Sequence, residues 1–567
     1  MKGVQHMKWW GWGLDGISFH HEDKPKFAPF VRERVGIDVT TPAARPPLRF
    51  EELDVPEPRL DDDLRSTLAG LVGEEYVTTD AMERVVHTFG KSVRDLIRIR
   101  RGELGRMPDV VVYPDSTDEV ARVVDAVVAA DAVLIPFGGG SNIAGSLEVP
   151  RGETRTVVSV DLGRMNKLLE IDEESGLALI QAGALGPHLE EQLQQRGWTI
   201  GHFPDSFSHS TLGGWIATRS SGMQSDRYGD IADITRGLTM AMPGKVLTLR
   251  PLPSSSTGPS VREMVLGSEG RLGVITEAWV NVKRVAEERV VLGYFFPDFA
   301  TGLEALREIH KSDATPLVGR VSDERETQFS LATSKKSKGI SKYVTKGLMA
   351  YLTRKGWDLQ KLCLSFIGFE GSRSHVALQQ RLVREIVTRH GGIVVGKGPG
   401  VLYDQKKFDT PYLRDFLLDR GAAADVSDTA APWSKLKPLY DNVIAAAEGA
   451  FAEIGCQGYI MCHLSHNYHS GACLYFTFAV AHEGPGVIEK YDVVKRAIQS
   501  EFIRSGGTLS HHHGVGVEHS PWLAEDVSPA GQELIGGLLD FADPKHNLNP
   551  GKIVHTGTPG VSVLSEQ

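Results

Sequence analysis

The chain has 567 residues, 41% of them hydrophobic and 24% charged, with a formal net charge of −10. That length is too great for one compact core, the balance is that of a globular enzyme, and the negative charge excludes bulk affinity for nucleic acid. Four cysteines without CxxC spacing, Cys363, Cys456, Cys462 and Cys473, are too few to staple such a chain, so a reducing compartment without disulfides is expected.

The first residues carry no apolar signal-peptide core, and no apolar run approaches the roughly 18 residues of a spanning helix. A cytoplasmic protein is expected, with Met7 an alternative start. Residues 1–60 are rich in Trp, Pro and charge and are broken by Thr41-Pro42-Ala43-Ala44-Arg45-Pro46-Pro47, which predicts an extended arm packed over another domain. Residues 61–104 read as mostly helical. Pro108–Pro114 predicts a short strand, Asp115–Glu119 opens a helix with Val120, Val123, Val124, Val127 and Val128 on one side, and Ala132–Pro136 is the next strand. This β-α-β order runs directly into Pro136-Phe137-Gly138-Gly139-Gly140-Ser141-Asn142, where successive glycines allow positive φ and let backbone amides converge on a pyrophosphate. It is neither a GxGxxG fingerprint nor a Walker loop, and by itself a flexible turn explains it equally well. Further strands are expected at Thr156–Val160, Leu177–Gln181, Val246–Leu249 and Gly273–Val280, which makes 105–287 one α+β domain.

From 288 to 510 longer helices mix with strands such as Val290–Phe296 and Cys473–Val480, a second α+β domain. Between Leu331 and Lys361 lie eight basic residues (Lys335, Lys336, Lys338, Lys342, Lys346, Arg354, Lys355 and Lys361) against one acid, Asp358. Interleaved with Tyr343, Val344, Leu348, Met349, Tyr351, Leu352 and Trp357, they predict either a segment lying on an anionic membrane surface or a solvated helix face. Residues 511–567 open with His511, His512 and His513. Imidazoles titrate near neutrality and pass protons or bind anions. From the tripeptide alone a surface cluster or a metal tract is as good an account.

Three more segments follow the glycine loop: Asp205-Ser206-Phe207-Ser208-His209-Ser210-Thr211, Thr218-Arg219-Ser220-Ser221, and Glu269-Gly270-Arg271-Leu272-Gly273-Val274-Ile275. In order and spacing the four resemble the flavin domain of the vanillyl-alcohol-oxidase (PCMH) type. The resemblance implies that these segments, with Pro136–Asn142, enclose FAD. Relatives that tether flavin do so through a His or Cys in the loop; here Ser141-Asn142 follows, so FAD is expected to be non-covalent. The segment Phe541–Lys552 resembles the part that packs back on the flavin domain.

From Met7-Lys8-Trp9-Trp10-Gly11-Trp12-Gly13 onward the chain is similar to the alkyldihydroxyacetonephosphate synthase family, through Gly319-Arg320, Tyr412-Leu413-Arg414-Asp415, Gly471–Phe478 and the triple-His segment. The resemblance implies an α+β fold with a two-part flavin domain and a substrate cap. It also implies a redox-neutral exchange of the acyl group of 1-acyl-dihydroxyacetone phosphate for a fatty alcohol, flavin serving as a covalent handle. Tyr475 is implied as the acid/base, its pKa lowered by neighbouring cations or histidines, with His511, His512, His513 and Arg320 as catalytic partners and Arg414 as the phosphate ligand. No metal is expected, because adjacent side chains on an extended chain diverge. A homodimer with peripheral membrane contact completes the expectation. The competing class is a flavin oxidoreductase of the same fold acting on a 2-hydroxy acid or another alcohol, both arginines then gripping a carboxylate.

Overall fold

The computed structural model describes residues 4–41, 48–334, 340–406, 408, 410–481 and 486–554. The proline breaker at 42–47, and in the basic segment Lys335, Lys336, Lys338 and the side chains of Lys342, Tyr343, Val344 and Lys346, lie outside the described residues.

Three large sheets organise the described residues, besides a two-stranded pairing of Trp198–Thr199 with Lys283–Arg284. In the first, Val110–Val112, Val157–Asp161 and Val133–Phe137 are parallel neighbours, with Val77–Thr78 antiparallel at one edge. Its strands are buried on both faces and so read as continuous apolar runs. The predicted helix forms as Thr117–Ala129. Ser116 accepts the amide of Glu119 at its N-terminus, Asp118 and Glu119 complement the helix dipole, and Val120, Val123, Val124 and Val127 are fully buried. The second sheet is antiparallel in the order Leu168–Asp172, Leu177–Gln181, Val274–Asn281, Thr235–Met242, Lys245–Leu249. Thr235–Met242 was not anticipated. It has no β-branched residue beyond Thr235 and Thr239 and contains Gly237, and it becomes a strand because it pairs on both edges.

The third sheet has seven strands, all antiparallel: Ile393–Gly396, Glu288–Phe296, Cys363–Gly371, Val318–Ser322, Gly458–Asn467, Gly471–Ala481, Ala422–Pro432. Alternation along Gly471–Ala481 sends Leu474, Phe476, Phe478 and Val480 into a core shared with helices Trp433–Glu453 and Val487–Arg504, through Leu439, Val443, Val494 and Ile498. Tyr475 belongs to the opposite set.

The termini are sewn to the first sheet. Leu134 donates to Asn547 O (2.7 Å) and accepts from the Asn549 amide (2.8 Å), so Leu548 is buried as an extra bridge partner, a leucine burial that contributes about 1.5–3 kcal/mol. The N-terminal arm is not uniformly extended: Phe27–Val35 is a helix, its Phe27, Val31 and Val35 packing on Phe416 and Leu417. Upstream, His6 Nε2 and His87 Nε2 lie 2.7 and 2.9 Å from Asp161 Oδ2, while Oδ1 accepts the Gly163 amide. Burial pushes the Asp161 carboxyl up, but the hydrogen bonds and charges of the two histidines hold it well below its usual range.

This clamp gives the arm a pH dependence. Burial works against charge on His6, yet the hydrogen bond and charge of Asp161 outweigh it and raise its pKa above 6.5. The stabilisation is therefore complete below about pH 6.5 and lost as pH rises through the raised value. Hydrogen exchange at Met7–Gly13 is expected to accelerate as pH rises above about 6.5, beyond the intrinsic base-catalysed increase, and the excess to vanish in His6→Ala. The same excess in both proteins would remove the clamp.

Candidate active site

A cavity of about 1390 Å³ opens between the flavin-type half and the seven-stranded sheet. Pockets for one drug-sized ligand measure roughly 300–1,000 Å³, so this one has room for a dinucleotide and a second molecule. One wall is Pro136, Phe137, Gly138, Gly139, Gly140, Ser141 and Asn142. A Cβ at Gly139 would stand 1.8 Å from His209 O, and one at Gly138 2.4 Å from Thr211 Oγ1; Gly140 has φ +64°. The loop lies so close to 209–211 that no side chain fits there, leaving backbone to form the cradle an FAD pyrophosphate needs.

Asp205, Ser206, Ser210, Thr211, Thr218, Ser220, Glu269, Gly270, Gly273, Val274 and Ile275 also line the cavity. Phe207, Ser208, His209, Arg219, Ser221, Arg271 and Leu272 do not. Phe207 and Leu272 belong to the apolar core, the His209 ring abuts Trp12, Arg219 pairs with Glu263 (3.1 Å), and Arg271 donates to Lys552 O (2.7 Å). Proximity in sequence to a cofactor loop is no guide to orientation. Glu269 is lining and linker at once: its carboxylate accepts from Ser146 Oγ (2.6 Å) and from the amides of Val515 and Gly516, tying the stretch after the histidines to the glycine loop.

Tyr475 stands in register between two neighbours on the same face, Asp428 on one strand and His463 on the other. Its ring stacks against His463 (centroids 4.9 Å) and His512 (5.8 Å) and meets His513 edge-on (5.7 Å). The phenol pKa is not lowered: burial, then the charges of Asp205, Asp428 and Asp425, push it well above 10 against the pull of Arg320. Burial keeps His513 below its usual value and His511 near 3, so these two imidazoles do not supply the missing positive field.

Asp428 organises the triple-His segment. Its Oδ2 accepts the amides of His511 (2.8 Å) and His512 (2.7 Å) and lies 3.0 Å from His512 Nδ1, and its Oδ1 meets His513 Nδ1. Burial alone would lower His512, but the charge and hydrogen bond of Asp428 raise its pKa. Asp428 itself is held well below the usual carboxylate range: burial pushes it up, and the charges of His513 and His512 outweigh that. His512 and His513 face the cavity; His511 turns from it toward Tyr468, whose hydroxyl lies 2.5 Å from Nε2.

Arg320 and Arg414 both line the cavity. Arg320 pairs with Glu326 and approaches His463 Nδ1 (3.2 Å). Arg414 Nε and Nη2 are buried with no hydrogen-bond partner among the described residues, an arrangement that costs free energy unless an anion arrives. Apolar side chains, among them Phe30, Val31, Phe329, Leu348, Met349 and Phe366, also line the same cavity.

Asp428, His463, Glu326 and Trp12 are absent from the sequence-based site. His463 and His466, three apart in a strand-like stretch, were the available signal; Asp428 in a small-residue strand gave none.

Two family models match the chain: an FAD binding domain over residues 108–250 and the C-terminal domain of FAD linked oxidases over 285–553. Alkyldihydroxyacetonephosphate synthase of Dictyostelium discoideum is 37% identical, the alignment covering 97% of this chain and 94% of the relative; that of Trypanosoma brucei brucei is 34% identical over 97% and 92%. A solved alkyldihydroxyacetonephosphate synthase superposes with a TM-score of 0.83 at 34% identity, covering 96% of this chain and 98% of its own. A 4-ethylphenol oxidase, 15% identical with a TM-score of 0.65, shares the fold. The cradle, the buried tyrosine among histidines and these likenesses agree: the chain belongs to the alkyldihydroxyacetonephosphate synthase family of FAD-dependent enzymes.

Proposed function

We propose that the protein exchanges the acyl chain of 1-acyl-dihydroxyacetone phosphate for a fatty alcohol. One C–O bond to C1 breaks as the carboxylate leaves, and another forms as the alcohol adds and gives up its proton, without net oxidation. The observation that carries this reading is the single cavity joining a flavin cradle, a buried tyrosine with its histidines, a guanidinium two of whose nitrogens have no partner among the described residues, and an apolar lining. When bound, FAD supplies a ring that holds the three-carbon unit while its substituent is changed.

The chain's own groups then have separable tasks. Arg414 receives the phosphate, for which a planar guanidinium is well shaped. At rest Tyr475 keeps its proton. To remove the C1 proton it passes its own to the flanking histidines, where Asp428 compensates an imidazolium and Arg320 favours the phenolate; Tyr475 Oη then holds the C1 proton and returns it. The apolar lining takes the long chains. Leu348 and Met349, on helix Ile340–Arg354, line the cavity with Leu331, while Tyr351 on the same helix is 55% exposed, and this is where we place peripheral contact with a bilayer. No described helix is long and apolar enough to cross a membrane.

FAD-loaded protein given 1-palmitoyl-dihydroxyacetone phosphate and hexadecanol is expected to yield the alkyl ether and free palmitate in equal amounts, read by mass spectrometry, without consuming oxygen or dye. Dye reduction by a 2-hydroxy acid with no ether formed would favour the oxidoreductase. In Tyr475→Phe, turnover should fall about 10²–10⁴-fold while the flavin spectrum and substrate KM stay close to wild type. Arg414→Ala loses charge-assisted hydrogen bonds worth about 1.5–3 kcal/mol, so KM for the phosphate substrate should rise roughly 10- to 100-fold; an unchanged KM would move the phosphate elsewhere.

A further inference from the structure

His511 has no part in the proton work proposed above. It turns from the cavity into a cluster with His466, Cys473 and His512, and one ligand atom from each of the four lies within 4.8 Å of every other. The strand geometry that builds the cluster is specific. His466 is the cross-strand partner of Cys473, as His463 is of Tyr475. Residues three apart on a regular strand face opposite ways, but a bulge between Leu464 and His466 restores His466 to the face of His463. The segment at 511–513 is bent, not extended, so the divergence expected of adjacent side chains does not hold.

The surroundings are those that orient metal-ligating imidazoles. His466 Nε2 lies 3.1 Å from Gly222 O, and His511 Nε2 lies 2.5 Å from Tyr468 Oη, which donates to Asp230 (2.7 Å). His511 Nδ1 and His512 Nδ1 face each other at 3.0 Å, with Asp428 Oδ2 3.0 Å from the latter. In a tetrahedral zinc site, bonds of about 2.0–2.3 Å separate donors by roughly 3.3–3.8 Å, so small side-chain rotations close the set around an ion. Three nitrogens and a sulfur suit a borderline transition metal and not Mg²⁺ or Ca²⁺, which take oxygen.

We propose that His466, Cys473, His511 and His512 form a binding site for a divalent transition metal of the Zn²⁺ class, and that filling it inhibits the enzyme by withdrawing His512 from Tyr475. The inhibition rests on the function proposed above; the binding does not. The ion enters through the cavity that His512 lines, and binding releases the Cys473 thiol proton and the proton between the two imidazoles, with no change of oxidation state.

The test uses the full FAD-loaded chain. Zn²⁺ is expected to inhibit the exchange and Mg²⁺ to leave it unchanged. Cys473→Ser should keep the metal-free rate and raise the half-inhibitory Zn²⁺ concentration about 10- to 100-fold or more. Co²⁺, bound without turnover, should give the intense visible bands of a four-coordinate ion to the red of oxidised flavin, lost in Cys473→Ser. An unchanged half-inhibitory concentration in the variant, or a Co²⁺ spectrum that stays that of the hydrated ion, overturns the site. Where Cys473→Ser does not fold, the Co²⁺ titration of the wild-type protein decides. Absence of any ether product would defeat the proposed function and leave the Co²⁺ result to stand alone.

Discussion

A single buried carboxylate, Asp428, sets the geometry on which the reactive face depends. Charge is kept inside a protein only where it is paired and hydrogen-bonded, and Asp428 meets that condition with two backbone amides and two imidazoles from one tripeptide. The amide bonds bend the chain at 511–513, so the three rings are distributed instead of alternating. Two face the cavity beside Tyr475 and one faces inward. A neutral side chain of the same shape would accept fewer of these bonds and would leave His512 without the charge that raises its proton affinity.

Asp428 also contributes to keeping the Tyr475 phenol protonated at rest. Burial raises the phenol pKa most, and the charges of Asp205, Asp428 and Asp425 add to it. In the proposed exchange, a resting phenolate would place a second anion beside the substrate phosphate. A phenol that stays neutral at rest avoids that repulsion, and the proposed proton removal then depends on Arg320, the histidines and the substrate being together.

How much of this could be read beforehand depends on the distance over which each feature is encoded. The glycine loop and the Ser116-capped helix are local patterns, and they lie where the sequence implies. The helix Phe27–Val35 inside a proline-broken arm is stabilised by Phe416 and Leu417, nearly 400 residues away, so nothing local announces it. Tyr475 alone looks like one more aromatic in an aromatic strand; only family likeness singles it out. Asp428 depends on strand register, because one residue of slippage would put it on the helix-covered face. The seven cofactor-segment residues that miss the cavity fail for the converse reason: a motif marks a stretch of backbone, while orientation within it is set by packing.

Asp161, Glu269 and Asp428 follow one rule. Each is a fully or nearly buried carboxylate that joins pieces remote in sequence: His6, His87 and Gly163 at the first; Ser146, Val515 and Gly516 at the second; the triple histidine at the third. Apolar contacts hold such pieces together but do not orient them, since the hydrophobic effect is non-directional. A carboxylate with several donors fixes direction as well as distance. Glu269 ties the stretch after the histidines to Ser146, just past the glycine loop, so one carboxylate joins the two sides of the cavity. In the proposed site, the placement of Tyr475 against FAD then depends in part on Glu269, a residue with no contact to the tyrosine.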